Sequence, residues 1–416
     1  MNKNAEVTEF SQDFIYTKFS EFYKNPSTEI PVPASINKRE FAFLLLKEKI
    51  MLRHKSFADI NNLKAFIINN IPSDVYYSCA YYENPAADMD KKGWNGADLV
   101  FDIDADHIPT SCNKIHDEWV CSKCGFCGKG VTPESCPICQ GQKFDTKTWP
   151  CDLCLDSAKY ETAKLIDILE KDFGFSPKEL QVFFSGHRGF HVHVENEAVQ
   201  ALEATARKEI VDYILGTGLV LLNDKASKQT KRQPSSSAFS LHDFGWNRRI
   251  KVGMKKFIQA ATKEDLQRAD IRNYKVILQN KDTILKRCLE EGRWTIVKGL
   301  STKTWKRIAD YVKNLESAKI DTVVTTDIHR LIRMPGTLHG KTGLKKIGFP
   351  AHQLMNFDPF TEAVAFKEGT ANVFVFDAPE FRLSGEKYGP YRHQSVELPT
   401  AAAVLLICKD RAKLVK

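Results

Sequence analysis

The 416-residue chain has no apolar run near the ~18–20 residues needed to cross a bilayer; its best, Ala401 to Cys408, is far shorter. The opening MNKNAEVTEF is polar and lacks the basic-then-apolar layout of a secretory signal. No solenoid-type repeat is visible, and strand and helix patterns do not alternate regularly. Over most of its length the chain is also poor in cysteine, with only Cys79, Cys288 and Cys408 outside residues 112–154. These absences exclude a bundle of membrane-spanning helices, argue against a disulfide scaffold, and predict a cytoplasmic protein in a reducing compartment.

What is present is sharper. Eight cysteines (112, 121, 124, 127, 136, 139, 151 and 154) crowd one window, several as C-x-x-C pairs, which points to metal thiolates. Hydrophobic content of 43% supports a full core, and the length suits two or three domains at roughly 150 residues each. A net charge of +8 fits a nucleic-acid partner without demanding one.

The pattern predicts a mixed α and β protein. Apolar positions in FSQDFIYTKFSEFY recur at helical spacing, whereas REFAFLLLKEKIMLRHKSF (39–57) and DVYYSCAYY (74–82) read as strands. Residues 157–172 read as a helix, 180–195 as strand, turn, strand, and 198–216 and 263–316 as helix-rich. The tail ELPTAAAVLLICKDRAKLVK predicts a terminal helix or strand plus helix.

Three constellations carry chemistry. On the strand ADLVFDID, Asp102 and Asp104 stand two apart and share a face, while Phe101 and Ile103 point the other way. Adjacent carboxylates repel unless a proton or cation intervenes, and such oxygen donors suit Mg²⁺ or Mn²⁺. A solvated acidic strand end reads equally well, and Asp106 and His107 read as turn residues. The second is Ser185-Gly-His187-Arg188-Gly-Phe-His191-Val-His193, where two glycines allow a tight turn filled with phosphate donors. A hairpin facing water, or a zinc site from H-x-H, are the alternatives. The third spans 321–345 and holds Asp321, Asp327, Arg330, Arg333 and His339 beside glycines, an anion-binding strand and loop in which Arg330 could instead pair with Asp327.

Taken in order, D-x-D, then S-G-x-R-G-x-H, then HRLIRMPGTLHGKTGL resemble the small catalytic subunit of the archaeo-eukaryotic DNA primases, nearest the archaeal branch. The likeness runs from REFAF (39–43) to the ELPTAAAVLLIC tail. It implies an α/β (α+β) fold: a primase catalytic core with an RRM-like mixed sheet, a zinc-binding module and a helical insertion. It further implies that Asp102, Asp104 and Asp321 (rather than Asp327) bind two catalytic Mg²⁺ or Mn²⁺ ions. Ser185, His187, Arg188 and His191 would contact the incoming triphosphate, Arg333 and His339 would close the site, and Arg53 would stand near the phosphates. At position 187 many relatives carry another residue. The implied reaction is primer synthesis from NTPs, or dNTPs, on single-stranded DNA by a heterodimer with a large primase subunit.

The resemblance also divides the cysteines. Cys112, His116, Cys151 and Cys154 match the family's single zinc site, which leaves Cys121, Cys124, Cys136 and Cys139 as an inserted zinc ribbon (119–149). Cys127 is the spare thiol, with a Cys124/Cys127 knuckle as the alternative. The expected layout is catalytic core in 1–110, zinc module in 111–155, core again in 156–200, a helix-rich insertion in 201–316, and core in 317–416. Residues 225–256 carry nine Lys or Arg against one acid, Asp243, with Phe239, Phe244 and Trp246 interleaved. This predicts a template-binding segment using Lys231, Arg232, Arg248, Arg249 and Lys251, against the plainer reading of a solvated basic loop. Competing functions are a standalone primase-polymerase in DNA repair and a non-catalytic zinc-ribbon subunit that binds nucleic acid.

Overall fold

The computed structural model describes residues 3–219, 244–286 and 297–415. The chain divides into two compact units, one of Met1–Ala163, Ser176–Lys208 and Ile320–Lys416, the other of Lys164–Phe175 and Glu209–Lys319.

Two four-stranded sheets organise the first unit. One has the order Leu331–Arg333, Pro72–Ser78, Phe41–Leu45, Met51–Lys55; the other Ile347–Pro350, Leu180–Phe184, Gly189–Val194, Leu99–Asp104. Every pairing in both is antiparallel, so this α/β core rests on antiparallel sheets. In the second sheet Val182 lies opposite Val192, and Val192 opposite Phe101. Leu180, Phe184, Phe190, Ile103 and Leu99 share that face and are fully buried. Burying each such side chain contributes roughly 1.5–3 kcal/mol, which fixes the register and sends the polar positions of the same strands to the opposite face.

The chain's longest apolar run forms the helix Thr400–Cys408, buried on all sides up to Ile407. A helix apolar all round belongs inside a protein core, and this one follows directly from the strand Tyr391–Pro399. The helix Asp152–Lys171 begins earlier than its periodicity suggests, inside the last C-x-x-C pair. Between the carboxylate strand and that helix lies a small three-stranded sheet (Cys127–Lys129, Glu118–Cys121, Phe144–Lys147) around Trp119.

The second unit is helical. Gly245–Ala260 and Thr302–Glu316 pack through Trp246, Ile250, Met254, Trp305, Ile308 and Val312.

Candidate functional site

Asp102 and Asp104 end the strand Leu99–Asp104, with Phe101 and Ile103 buried behind them. Across the ladder Asp102 faces His191 and Asp104 faces Gly189. Glycine is required there, because a Cβ at position 189 would lie 2.5 Å from the Ile103 carbonyl oxygen. His191 Nε2 stands 3.5 Å from Asp102 Oδ1. Asp321 arrives from far along the chain: its N–H donates to the Asp102 carbonyl at 2.8 Å, and its side chain caps the helix Thr322–Thr326. Burial, then the charges of Asp104 and Asp321, push the Asp102 carboxyl up to about 7. Burial and Asp106 raise Asp104 to about 6. Asp102 and Asp104, which burial and neighbouring carboxylates hold back from ionising, are oxygen donors whose repulsion a divalent cation relieves, so they fit Mg²⁺ or Mn²⁺. The donor atoms grouped within 4.8 Å at this strand end are those of Asp104, Asp106 and His187.

Asp102 and Asp104, but not Asp321, open onto a cavity of about 190 Å³ lined also by Tyr76, Ser185, His187, His191, Arg330, Arg333 and His339. The Ser185 hydroxyl accepts the N–H groups of His187 (3.3 Å) and Gly189 (3.2 Å), which shapes the turn. Gly186 takes φ 87°, and a Cβ there would come 2.9 Å from that of His339. The His187 and His339 rings stack at 5.2 Å, and the Lys341 N–H donates to His339 Nδ1 at 3.1 Å. Arg333 pairs with Asp74 and donates to the Tyr76 hydroxyl at 3.3 Å. Burial alone would raise Asp74, but the Arg333 charge, the Gly340 N–H and the Ser73 hydroxyl hold it down at about 2. Asp327 accepts the His329 N–H at 3.0 Å, so this carboxylate serves a turn.

Two expected nucleotide contacts are placed elsewhere. Arg188 is 1% exposed and does not line the cavity. Its guanidinium pairs with half-buried Asp106, grouped with Asp104 and His187, and with both oxygens of buried Asp117 (3.0 and 2.9 Å), and these two carboxylates capture the fork. Arg53 lies on the strand Met51–Lys55, where its Nε donates to Glu40 at 3.2 Å, outside the cavity lining. Conversely, the motifs gave no sign of Asp74, Lys346 or Lys409. Lys346 is wholly buried with Nζ 3.0 Å from His191 Nδ1, and Lys409 meets His187 Nε2.

Cys112, His116, Cys151 and Cys154 bring their donor atoms within 4.8 Å of one another, as do Cys121, Cys124, Cys136 and Cys139. Sulfur–sulfur separations of 3.5–3.6 Å (Cys112–Cys154, Cys112–Cys151, Cys121–Cys139, Cys124–Cys136) suit a tetrahedral ion with bonds of about 2.3 Å. His116 adds the outer partner such sites use, with Nδ1 2.7 Å from Asp117. Both sets therefore fit zinc. Cys127 is exposed and belongs to neither group.

Of the expected template contacts, Lys231 and Arg232 lie outside the described residues. Arg248 is exposed and Lys251 half-buried on the helix Gly245–Ala260. Arg249 is a correction: it is buried and paired with Asp167 at 2.8 Å and Asp172 at 2.5 Å. Trp246 is likewise buried, its indole N–H donating to the Tyr213 carbonyl at 2.6 Å, which removes it as a base-stacking surface. Among the described residues no helix is long and apolar enough to cross a membrane.

Antiparallel α/β sheets that set two aspartates against histidines and arginine, in a chain with two four-ligand cysteine sets, have the donor groups of proteins that hold divalent cations next to phosphate. Residues 144–347 match the sequence pattern of the DNA primase small subunit. The chain is 32% identical to the DNA primase small subunit of Nitrosopumilus maritimus over 96% of its length and 98% of the relative's. It is 32% identical to that of Archaeoglobus fulgidus and 31% to that of Methanococcoides burtonii, covering 96% of the chain and 97% of each relative. The chain belongs to the archaeo-eukaryotic DNA primase small subunit family.

Proposed function

We propose that this chain is the catalytic subunit of a DNA primase, joining nucleoside triphosphates into short RNA primers on single-stranded DNA. The observation that carries this reading is the pair Asp102 and Asp104 on one face of a strand, lining a cavity with His191, Arg333 and His339, while the Asp321 backbone N–H is bonded to the Asp102 carbonyl. A merely structural subunit has no use for carboxylates that repel one another at a cavity mouth.

In the proposed reaction a 3′-hydroxyl attacks the α-phosphate of the incoming nucleotide and pyrophosphate leaves. Two divalent cations held by Asp102, Asp104 and Asp321 would lower the pKa of the attacking hydroxyl and neutralise the leaving oxygens. Arg333, His339, His187, His191 and the Ser185 turn would bind the triphosphate and hold it in line, so the protein contributes mainly orientation and electrostatics. Asp74 holds Arg333 in place from behind. The two cysteine sets would each hold a structural zinc, since four protein ligands leave no open position. A large primase subunit as heterodimer partner, and template contacts along 225–256, belong to the same reading.

The test is de novo oligonucleotide synthesis from NTPs on single-stranded DNA with Mg²⁺ or Mn²⁺, the large subunit supplied. Wild type is expected to be active and Asp102→Ala/Asp104→Ala inactive. A wild type that stays silent with its partner present would overturn the proposal.

A further inference from the structure

Lys346 has no part in any motif, yet its side chain is among the most deeply placed charges near the cavity, with 0% exposure. Among the described residues no carboxylate pairs with it. Its ammonium donates to the Arg333 carbonyl at 2.7 Å, lies 4.8 Å from the Phe183 ring centroid, and stands 3.0 Å from His191 Nδ1. Taking an unpaired ammonium out of water costs several kcal/mol, so its retention calls for a reason.

We propose that Lys346 is a positioning residue that fixes the tautomer of His191, so that this ring presents an Nε2–H toward the bound triphosphate. Burial lowers the Lys346 pKa to about 7; in its charged form the ammonium has hydrogens to give and no lone pair to receive with. Nδ1 of His191 must then be the acceptor, which leaves the ring proton on Nε2, the nitrogen 3.5 Å from Asp102 Oδ1 on the cavity side. Left to itself the ring could turn a lone pair toward a phosphate oxygen and repel it. The same logic recurs at His339, whose Nδ1 receives the Lys341 backbone N–H and whose Nε2 therefore carries its proton. One residue uses a backbone amide and the other a buried lysine because His191 sits mid-strand, where its neighbours' amides are engaged in the ladder. By also holding the Arg333 carbonyl, Lys346 ties the strand Leu331–Arg333 to the histidine hairpin.

The role toward triphosphate rests on the nucleotide reading of the cavity; the tautomer does not, and the experiment separates them. Histidine-¹⁵N NMR of the full chain, with His191 identified by its absence in His191→Asn, reads the ring directly without substrate. Wild type is expected to show Nδ1 unprotonated and Nε2 protonated, and Lys346→Met to shift toward the opposite tautomer or a mixture. Lys346→Arg should keep the wild-type signal. In calorimetric titration with Mg²⁺ and ATP, Lys346→Met should bind about 10- to 100-fold more weakly, the effect expected of a lost charge-assisted hydrogen bond, and Lys346→Arg should recover most of it. A wild-type His191 protonated on Nδ1, or an unchanged tautomer in Lys346→Met, overturns the assignment. A shifted tautomer with unchanged ATP affinity overturns the role in binding. Failure of wild type to bind ATP at all would remove the nucleotide reading and leave the tautomer standing.

Discussion

Arg188 turns its guanidinium into the protein, where it bridges Asp106, next to the carboxylate strand, and Asp117, the outer partner of His116. A buried ion pair contributes little net stability, but removing one partner strands the other charge. Arg188→Met should therefore cost about 3–5 kcal/mol, read as a lower denaturant midpoint at unchanged slope. A variant of wild-type stability that binds ATP poorly would instead return Arg188 to the nucleotide. Asp74 gives a pH signature. Its carboxyl sits at about 2 in the fold against 3.8 in the free side chain, so the pairing with Arg333 stabilises fully above about pH 4 and is lost as pH falls toward 2. Asp74→Asn should lower stability at neutral pH by roughly 2 kcal/mol and shallow the acid unfolding curve between pH 4 and 2. An acid limb unchanged from wild type would show that Arg333 does not depend on this partner.

At the scale of elements, what could be read from sequence was whatever periodicity or spacing encodes locally. Alternation on the Leu99–Asp104 strand put Asp102 and Asp104 on one face, and the Ser185–His191 glycines marked a hairpin turn. Side-chain direction at that turn was not legible, because residue type says Arg188 can bind phosphate but not which way it faces. Lys346, Lys409 and Asp74 escaped notice for a different reason: Lys409 and Asp74 reach the site from segments remote in sequence, and Lys346, just past the 321–345 stretch, carries no motif of its own. Arg249 had a usable signal, since it shares a helical stripe with Trp246, Ile250 and Gly253, and a Cβ at Gly253 would come 2.6 Å from Val312. The cysteines sort by spacing alone into C-x-x-C pairs, and the structure places two sets of four together. Purified chain should accordingly hold two zinc ions, Cys127→Ser should hold two, and Cys139→Ser one, measured by metal analysis after gel filtration. One zinc in Cys127→Ser would show that the exposed thiol is a ligand.

Across the whole molecule, the formal net charge of +8 equals the excess that residues 225–256 carry by themselves, so the remainder of the chain is balanced. The structure splits that basic stretch into unlike roles. Arg249 is committed to Asp167 and Asp172, anchoring the helix Gly245–Ala260 within its own unit, whereas Arg248 faces solvent. A buried anchor and an exposed cation differ in what their removal changes. Each phosphate neutralised on a single strand contributes about 0.7 to the slope of log K against log salt, whatever the sequence of the strand. Neutralising Arg248 together with Lys231 and Arg232 should therefore weaken single-stranded DNA binding on every template and flatten the salt dependence by up to about 2. Arg249→Ala should leave that slope alone and destabilise the helical unit, because Asp167 and Asp172 lose their shared partner. Fluorescence anisotropy over a salt series, paired with thermal unfolding, reads both quantities in the same proteins. If the triple variant keeps the full slope, the chain's excess charge serves solubility and the template lies elsewhere. If Arg249→Ala alone flattens it, the ion pairs must open when DNA binds.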